Sequence, residues 1–440
     1  MATAQDSTRS SSLLSEHPDP VSRDIKDIEE GRDAYRPGGF HPVYIGDVYH
    51  DRYKAMNKIG YGVYSTVWLA RDLRASAGNA REFVALKVLT AESYGSGRDI
   101  FERDILKHLR AQDHDQLGYS HVCHLVDDFE HEGPNGTHVC LVFELIGETL
   151  RSFGAWFPDS MIPNEVMRRF TIQLLLALDF AHDHNVIHTG IVHLLAASRT
   201  EVSSRPLTSV LDIQPSNIFV KMRDHTLIES GYLIKAPIPQ QDKAEERYTV
   251  IPSRPLRQHY FNSADRFDLF DIALGDWGVS SWADHHLAEI IQPVALRAPE
   301  VLIGAAWDAT ADLWNLGAVV LELFRAVRMF SGECPRGHYK LEQHLAEMVH
   351  LFGPFPSALL GKANQDIVQG IFDHQGNVKN AHVPPDRPVL SSADFTPGLE
   401  QDVRDEFVSF LQSMMKIDPA ERPAPEDLLR GPWLRALPSL

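Results

Sequence analysis

The sequence predicts an α+β chain built as two lobes, a small strand-rich one followed by a larger helical one. Two patterns predict it. Residues 53–71 and 83–89 alternate in the manner of strands, and residues 138–145 form a short apolar run that suits a buried strand. From residue 167 onward, apolar positions recur at helical spacing, and the chain closes on segments of that kind. Strands first and helices after is the order of such a two-lobed fold. No internal repeat competes with it.

Residues 35–42, Tyr-Arg-Pro-Gly-Gly-Phe-His-Pro, are turn-rich and precede the first strands. Residues 99–109 place Ile100, Ile105 and Leu109 on one helical face. A strongly apolar helix is expected over 167–184, carrying Phe170, Leu174, Leu175, Leu178, Phe180 and Ala181. Further helices are expected at 310–327, 341–351, 401–415 and 425–429.

Composition narrows the class. Of 440 residues, 43% are hydrophobic and 23% charged, the balance of an ordinary soluble globular protein. No apolar run reaches 18 residues, so no membrane-spanning helix is expected. Residues 1–24 are rich in Ser, Thr and Asp and lack the apolar core of a secretory signal. A disordered tail is expected there. The three cysteines, Cys123, Cys140 and Cys334, show no metal-ligand spacing, which fits a reducing, intracellular compartment. A net charge of −18 argues against non-specific nucleic-acid binding, which needs a basic footprint. It suits a basic protein or peptide substrate, and equally plain solubility.

Five groups of residues carry chemistry. Gly60 and Gly62, in Lys-Ile-Gly-Tyr-Gly-Val-Tyr-Ser-Thr-Val (58–67), let a hairpin close over phosphates without side-chain clash. Alone this is an ordinary hairpin turn, and no Gly-Lys-Ser/Thr comes after it to make it a Walker loop. Lys87, in Val84-Ala85-Leu86-Lys87, points a charge inward among apolar residues, where it needs a partner. Glu102 is the candidate, on the same helical face as Leu106. Alone, Lys87 reads as a snorkelling edge-strand lysine; its spacing from the glycines reverses that. His188-Thr189 comes after the long helix. Asp212 and Asn217, five residues apart, come later and precede an apolar run at 218–220. Asp and Asn in a loop are usually turn-formers, and the apolar run favours the catalytic reading. Asp276-Trp277-Gly278 closes another short strand, with Gly278 freeing the turn and Trp277 able to pack beneath the site. Ala298-Pro299-Glu300 comes next, with Arg422 far downstream as a buried partner for Glu300. Asp312 opens a helix from which it can hold a loop backbone.

In this order and spacing the five groups resemble the eukaryotic protein kinases. The resemblance implies a kinase fold, ATP and Mg2+. Lys87 would bind the α/β-phosphates and pair with Glu102, Asp212 would orient the substrate hydroxyl, and Asn217 and Asp276 would hold metal. Three stretches are similar to the SR-protein kinases in particular: 39–47, beginning Gly-Phe-His-Pro; 60–69, with Ser65 where most kinases have a third glycine; and 138–144, His-Val-Cys-Leu-Val-Phe-Glu. The similarity spans about 35–433 and is strongest in flavour to the short enzymes of filamentous fungi. It implies Phe143 as gatekeeper and Glu144 to Ile146 in the hinge. The nucleotide site would then comprise Gly60, Gly62, Ser65, Val67, Ala85, Lys87, Phe143, Glu144 and Ile146. It implies transfer to serine in Arg/Ser-rich proteins. A monomer without direct nucleic-acid or membrane binding is expected, with a cytoplasmic and nuclear distribution. Thr189 stands where most kinases carry an arginine, as in that family, which implies activity without loop phosphorylation.

The organisation expected is a tail over 1–34, an N-lobe with extension and hinge over 35–147, and a C-lobe over 148–438. Two departures mark the C-lobe. Gln214 replaces the lysine that contacts the γ-phosphate, a loss of charge at the transition state. Residues 190–211 separate Thr189 from Asp212, and removing them restores an unbroken family reading. The segment's edges match a retained intron; a genuine surface loop is the other reading. Two further functions stay open: a pseudokinase that binds nucleotide or partners without transfer, and a small-molecule phosphotransferase. The Glu300–Arg422 anchor, which serves protein substrates, argues against the latter.

Overall fold

A computed structural model describes residues 29–94, 101–158, 161–190 and 217–436, apart from 237, 239–240, 242, 244–247, 263–265, 267–268, 326–329, 333–338, 382, 385 and 397. Its first part is a sheet of strands β1 (Val48–Tyr49), β2 (Tyr53–Tyr61), β3 (Ser65–Asp72), β4 (Phe83–Leu89), β5 (Leu125–Gly133) and β6 (Gly136–Glu144), with helix α1 (Glu102–Arg110) between β4 and β5. The strands run antiparallel in the order β1-β2-β3-β4-β6-β5. Alternation sorts their side chains. Trp68, Ala70, Val84 and Leu86 join one buried layer with Tyr49, Tyr53 and Phe129. Leu69, Phe83 and Ala85 face the other way. Lys87 shares the parity of Ala85, so β4 delivers it to the inner face.

Helix α2 (Leu150–Gly154) opens the second part. Its central member is α3 (Asn164–Asp183), in which Met167, Phe170, Leu174, Leu175, Leu178 and Ala181 are buried at helical spacing. Short strands come next: β7 (Val186–Ile187), β8 (Ile218–Val220), then helix α4 (Leu233–Lys235), β9 (Ile272–Leu274) and β10 (Ser281–Trp282). β8 pairs with β9, and β7 with β10. Helix α5 (Pro299–Leu302) starts on a proline, whose missing N–H costs nothing at that position. Then come α6 (Thr310–Arg325), α7 (Leu341–Phe352), α8 (Ser357–Leu360), α9 (Gln365–Ile371), α10 (Gln401–Met414) and α11 (Pro425–Arg430). No described helix is long and apolar enough to cross a membrane.

The strand-rich then helical order matches the sequence expectation, and most element ends fall within a few residues of it. Within the described residues the helix expected over 99–109 begins at Glu102. Of residues 29–34, expected as the end of the tail, the first two lie against the sheet. Glu29 and Glu30 are nearly buried there, on Lys58 of β2, because that inward lysine needs carboxylates.

Candidate active site

The site forms where the inner face of the sheet meets β7, β8 and β9. Lys87 Nζ donates to Glu102 Oε1 at 2.5 Å and lies 3.7 Å from Asp276 Oδ1. Burial alone would depress the Lys87 ammonium. The Glu102 and Asp276 carboxylates outweigh it and hold it above its ordinary range. Lys87 is therefore a charged group at neutral pH, supplied by β4, with its partner supplied by α1.

Helix α1 is held from its other side as well. The Phe101 ring packs 5.4 Å from His285, and the His108 ring meets Trp282 edge-on at 5.1 Å. Trp282 itself pairs with Val186 across β10–β7. The stretch after Asp276 thus braces the helix that carries Glu102.

Above the lysine, β2 and β3 make the hairpin. Gly62 N–H donates to the Ser65 carbonyl at 2.7 Å. A Cβ on Gly60 would meet nothing within 4 Å. The fold itself does not require a glycine there, and the open space suits a ligand's close approach. Val67 lies opposite Lys87 and Ala85 opposite Phe143 in the sheet register. Val67, Ala85, Phe143 and Leu145 share one apolar cluster. Glu144 ends β6 half-exposed, with Arg81 3.6 Å away, and Ile146 lies just beyond it, partly buried.

Below the lysine, one carboxylate organises the loop after α3. Asp312 accepts from the backbone N–H of His188 and of Thr189, each at 2.8 Å, and lies 3.0 Å from His182 Nε2. Thr189 adopts φ 61°, a conformation that β-branched residues avoid. The backbone bond to Asp312 and one from its hydroxyl to the Val279 carbonyl, each at 2.8 Å, hold it there. His188 packs edge-on against Trp277, ring centres 4.7 Å apart, with Nε2 3.0 Å from the Gly275 carbonyl. Asp276 is left-handed, φ 57° and ψ 67°, and such strain concentrates at functional turns. The carbonyl of buried Asn217 accepts from Gly275 N–H at 2.7 Å, so Asn217 sits beside that turn.

The Glu300–Arg422 partnership takes a bidentate form, 2.7 Å on both arms, with both side chains wholly buried. Arg422 also donates to the carbonyls of Lys416 and Thr310.

Lys87, Glu102 and Asp276 therefore converge under the hairpin with Gly60, Gly62, Ser65, Val67 and Ala85, and Asn217 sits beside the Asp276 turn. Asp212 and Gln214 lie outside the described residues. Sequence reasoning passed over Tyr64, whose hydroxyl occupies the space a side chain on Gly278 would need. Its only sequence signal was its place in the hairpin motif. It also passed over Ile228, Tyr232 and Leu256, which join the cluster of Val67 and Ala85. These lie far along the chain and carry no local motif.

The protein kinase domain family matches residues 53–191 and 263–434. The chain is 30% identical to protein kinase dsk1 of Schizosaccharomyces pombe, over 93% of its own length and 86% of that protein's. It is 31% identical to a serine/threonine protein kinase of Aspergillus fumigatus, over 94% and 92% of the two chains. To the serine/threonine-protein kinase SRPK of Physarum polycephalum it is 28% identical, over 95% and 94%.

Proposed function

The chain belongs to the protein kinase family, and within it to the SR-protein kinases, and from this we propose that it phosphorylates serine in arginine/serine-rich proteins, using ATP with Mg2+. The observation that carries the reading is the Lys87–Glu102 ion pair beside Asp276, beneath a glycine hairpin with open space at Gly60.

The residues present fit a magnesium nucleotide. Mg2+ keeps waters and phosphate oxygens and takes only one or two protein ligands, which is what Asp276 and Asn217 would supply. ATP supplies the γ-phosphoryl group. Lys87 would hold the α/β-phosphates, Glu102 holds Lys87, and Val67, Ala85, Phe143, Leu145 and Ile146 would enclose the base. Asp212 orients the serine hydroxyl and takes its proton. A scaffold that binds nucleotide without transfer is the less favoured reading, since the relatives are named as kinases.

The test is phosphate transfer to an Arg-Ser repeat peptide, an acidic peptide and a proline-directed peptide, side by side. The Arg-Ser peptide should be phosphorylated fastest; equal rates on all three would refute the substrate class. Mg-ATP should raise the melting temperature by mass action on the folded state. Lys87→Ala and Asp276→Ala should each remove most of that shift.

A further inference from the structure

Lys58 lies two residues before Gly60 and is wholly buried. A buried ammonium must spend all three of its N–H donors. Lys58 Nζ donates to Glu29 Oε2 at 2.7 Å, to Glu30 Oε2, and to the Ile251 carbonyl at 3.2 Å. Glu29 is itself held by the Ser253 N–H at 2.5 Å and the Ser253 hydroxyl at 3.0 Å. Glu30 accepts from the Tyr35 hydroxyl. One side chain thus gathers the residues before the sheet and a strap from beyond β8, segments about two hundred residues apart in the chain.

The backbone at the same residue is pinned too. Lys58 N–H turns to the Asn57 side chain at 3.0 Å, and its carbonyl accepts from Arg254 N–H at 2.8 Å. Here β2 loses register with β3, between Lys58 and Gly60. An irregularity of this kind bends a strand and re-aims the residues beyond it. In β2 those residues are the glycine hairpin. An apolar residue of similar volume would serve stability about as well as a buried ion cluster, so the cluster's distinctive contribution is geometric.

We infer that Lys58 is a positioning residue for the glycine hairpin, and that Glu29, Glu30 and the 251–254 strap act through it. This rests on the nucleotide reading of Gly60 and Gly62.

Four proteins test it: the parent, Glu29→Gln/Glu30→Gln, Lys58→Met, and the triple variant Lys58→Met/Glu29→Gln/Glu30→Gln. The triple variant buries no unpaired charge, so its melting temperature should recover relative to Lys58→Met; it carries the test if Lys58→Met alone does not fold. With an Arg-Ser peptide, the KM for ATP should rise ~10-fold in the double and triple variants, the equivalent of about 1.4 kcal/mol. The kcat and the peptide KM should stay near the parent values. A double variant with the parent's KM for ATP would overturn the inference. So would a triple variant that regains both the parent's melting temperature and its KM, since Lys58 would then be structural only. If Mg-ATP fails to shift the melting of the parent itself, the nucleotide reading falls and the positioning role with it. A parent shift with unmoved KM in the variants removes the positioning role alone.

Discussion

At the scale of single residues, the buried charges decide most. Glu300 and Arg422 satisfy each other with two arms and leave no access for water. Removing one partner strands the other in a low-dielectric interior. Arg422→Met should therefore cost about 3–5 kcal/mol of folding stability, and Arg422→Met/Glu300→Leu should recover most of it. Urea melts of the three proteins check this; equal losses in single and double variants would refute the pairing as the cause. The histidines set an acid limit. Burial pushes His41 down to about 3, aided by His131 and His138, and His344 down to about 3, aided by Arg297, both from 6.5. The folded state keeps both neutral, whereas the unfolded chain takes up protons below the ordinary value. The stability they hold is present above pH 6.5 and is lost as pH falls toward 3, at about 1.4 kcal/mol per pH unit for each. His41→Phe/His344→Phe should flatten the loss between about pH 7 and pH 5. An identical loss in parent and variant would place the acid sensitivity elsewhere.

At the scale of elements, the strands and long helices were legible because their periodicity is local. Residues 83–89 were expected as a strand and form β4 with those bounds. The helix expected over 401–415 is α10, Gln401–Met414. The segment 190–211 belongs to the same scale. Its flanks are anchored: His188 and Thr189 on Asp312, Asn217 on Gly275, and β8 on β9. Closing a loop of that length between fixed ends costs only a few kcal/mol, so the full chain should fold and bind nucleotide. Positioning of Asp212 is the more sensitive quantity. The full chain should transfer phosphate at least ~100-fold more slowly than a version lacking residues 190–211, the scale of loss a displaced catalytic group produces. In that shortened version Asp212→Asn should remove nearly all activity. Single-turnover assays of the three proteins decide it; equal rates for the full and shortened chains would make the segment a harmless loop.

At the scale of the whole molecule, the net charge of −18 would favour capture of the basic substrate proposed above. Charged partners feel each other over about 10 Å at 0.1 M salt and over less as salt rises. The KM for an Arg-Ser peptide should therefore climb with ionic strength, while that for a neutral peptide stays level. Parallel salt profiles for the two peptides would remove charge from the account of specificity.

The sequence by itself determined the strand-then-helix order, the glycine hairpin, and the pairing of Lys87 with Glu102. Each rests on spacing along one or two neighbouring elements, where chain geometry leaves little choice. Tertiary structure alone decided the rest. Lys58 meets Glu29, Glu30 and Ile251, Tyr64 fills the space over Gly278, and Leu256 joins Val67 and Ala85. These contacts join residues whose separation carries no periodicity. They exist because buried charge and apolar surface must find partners wherever the folded chain brings them.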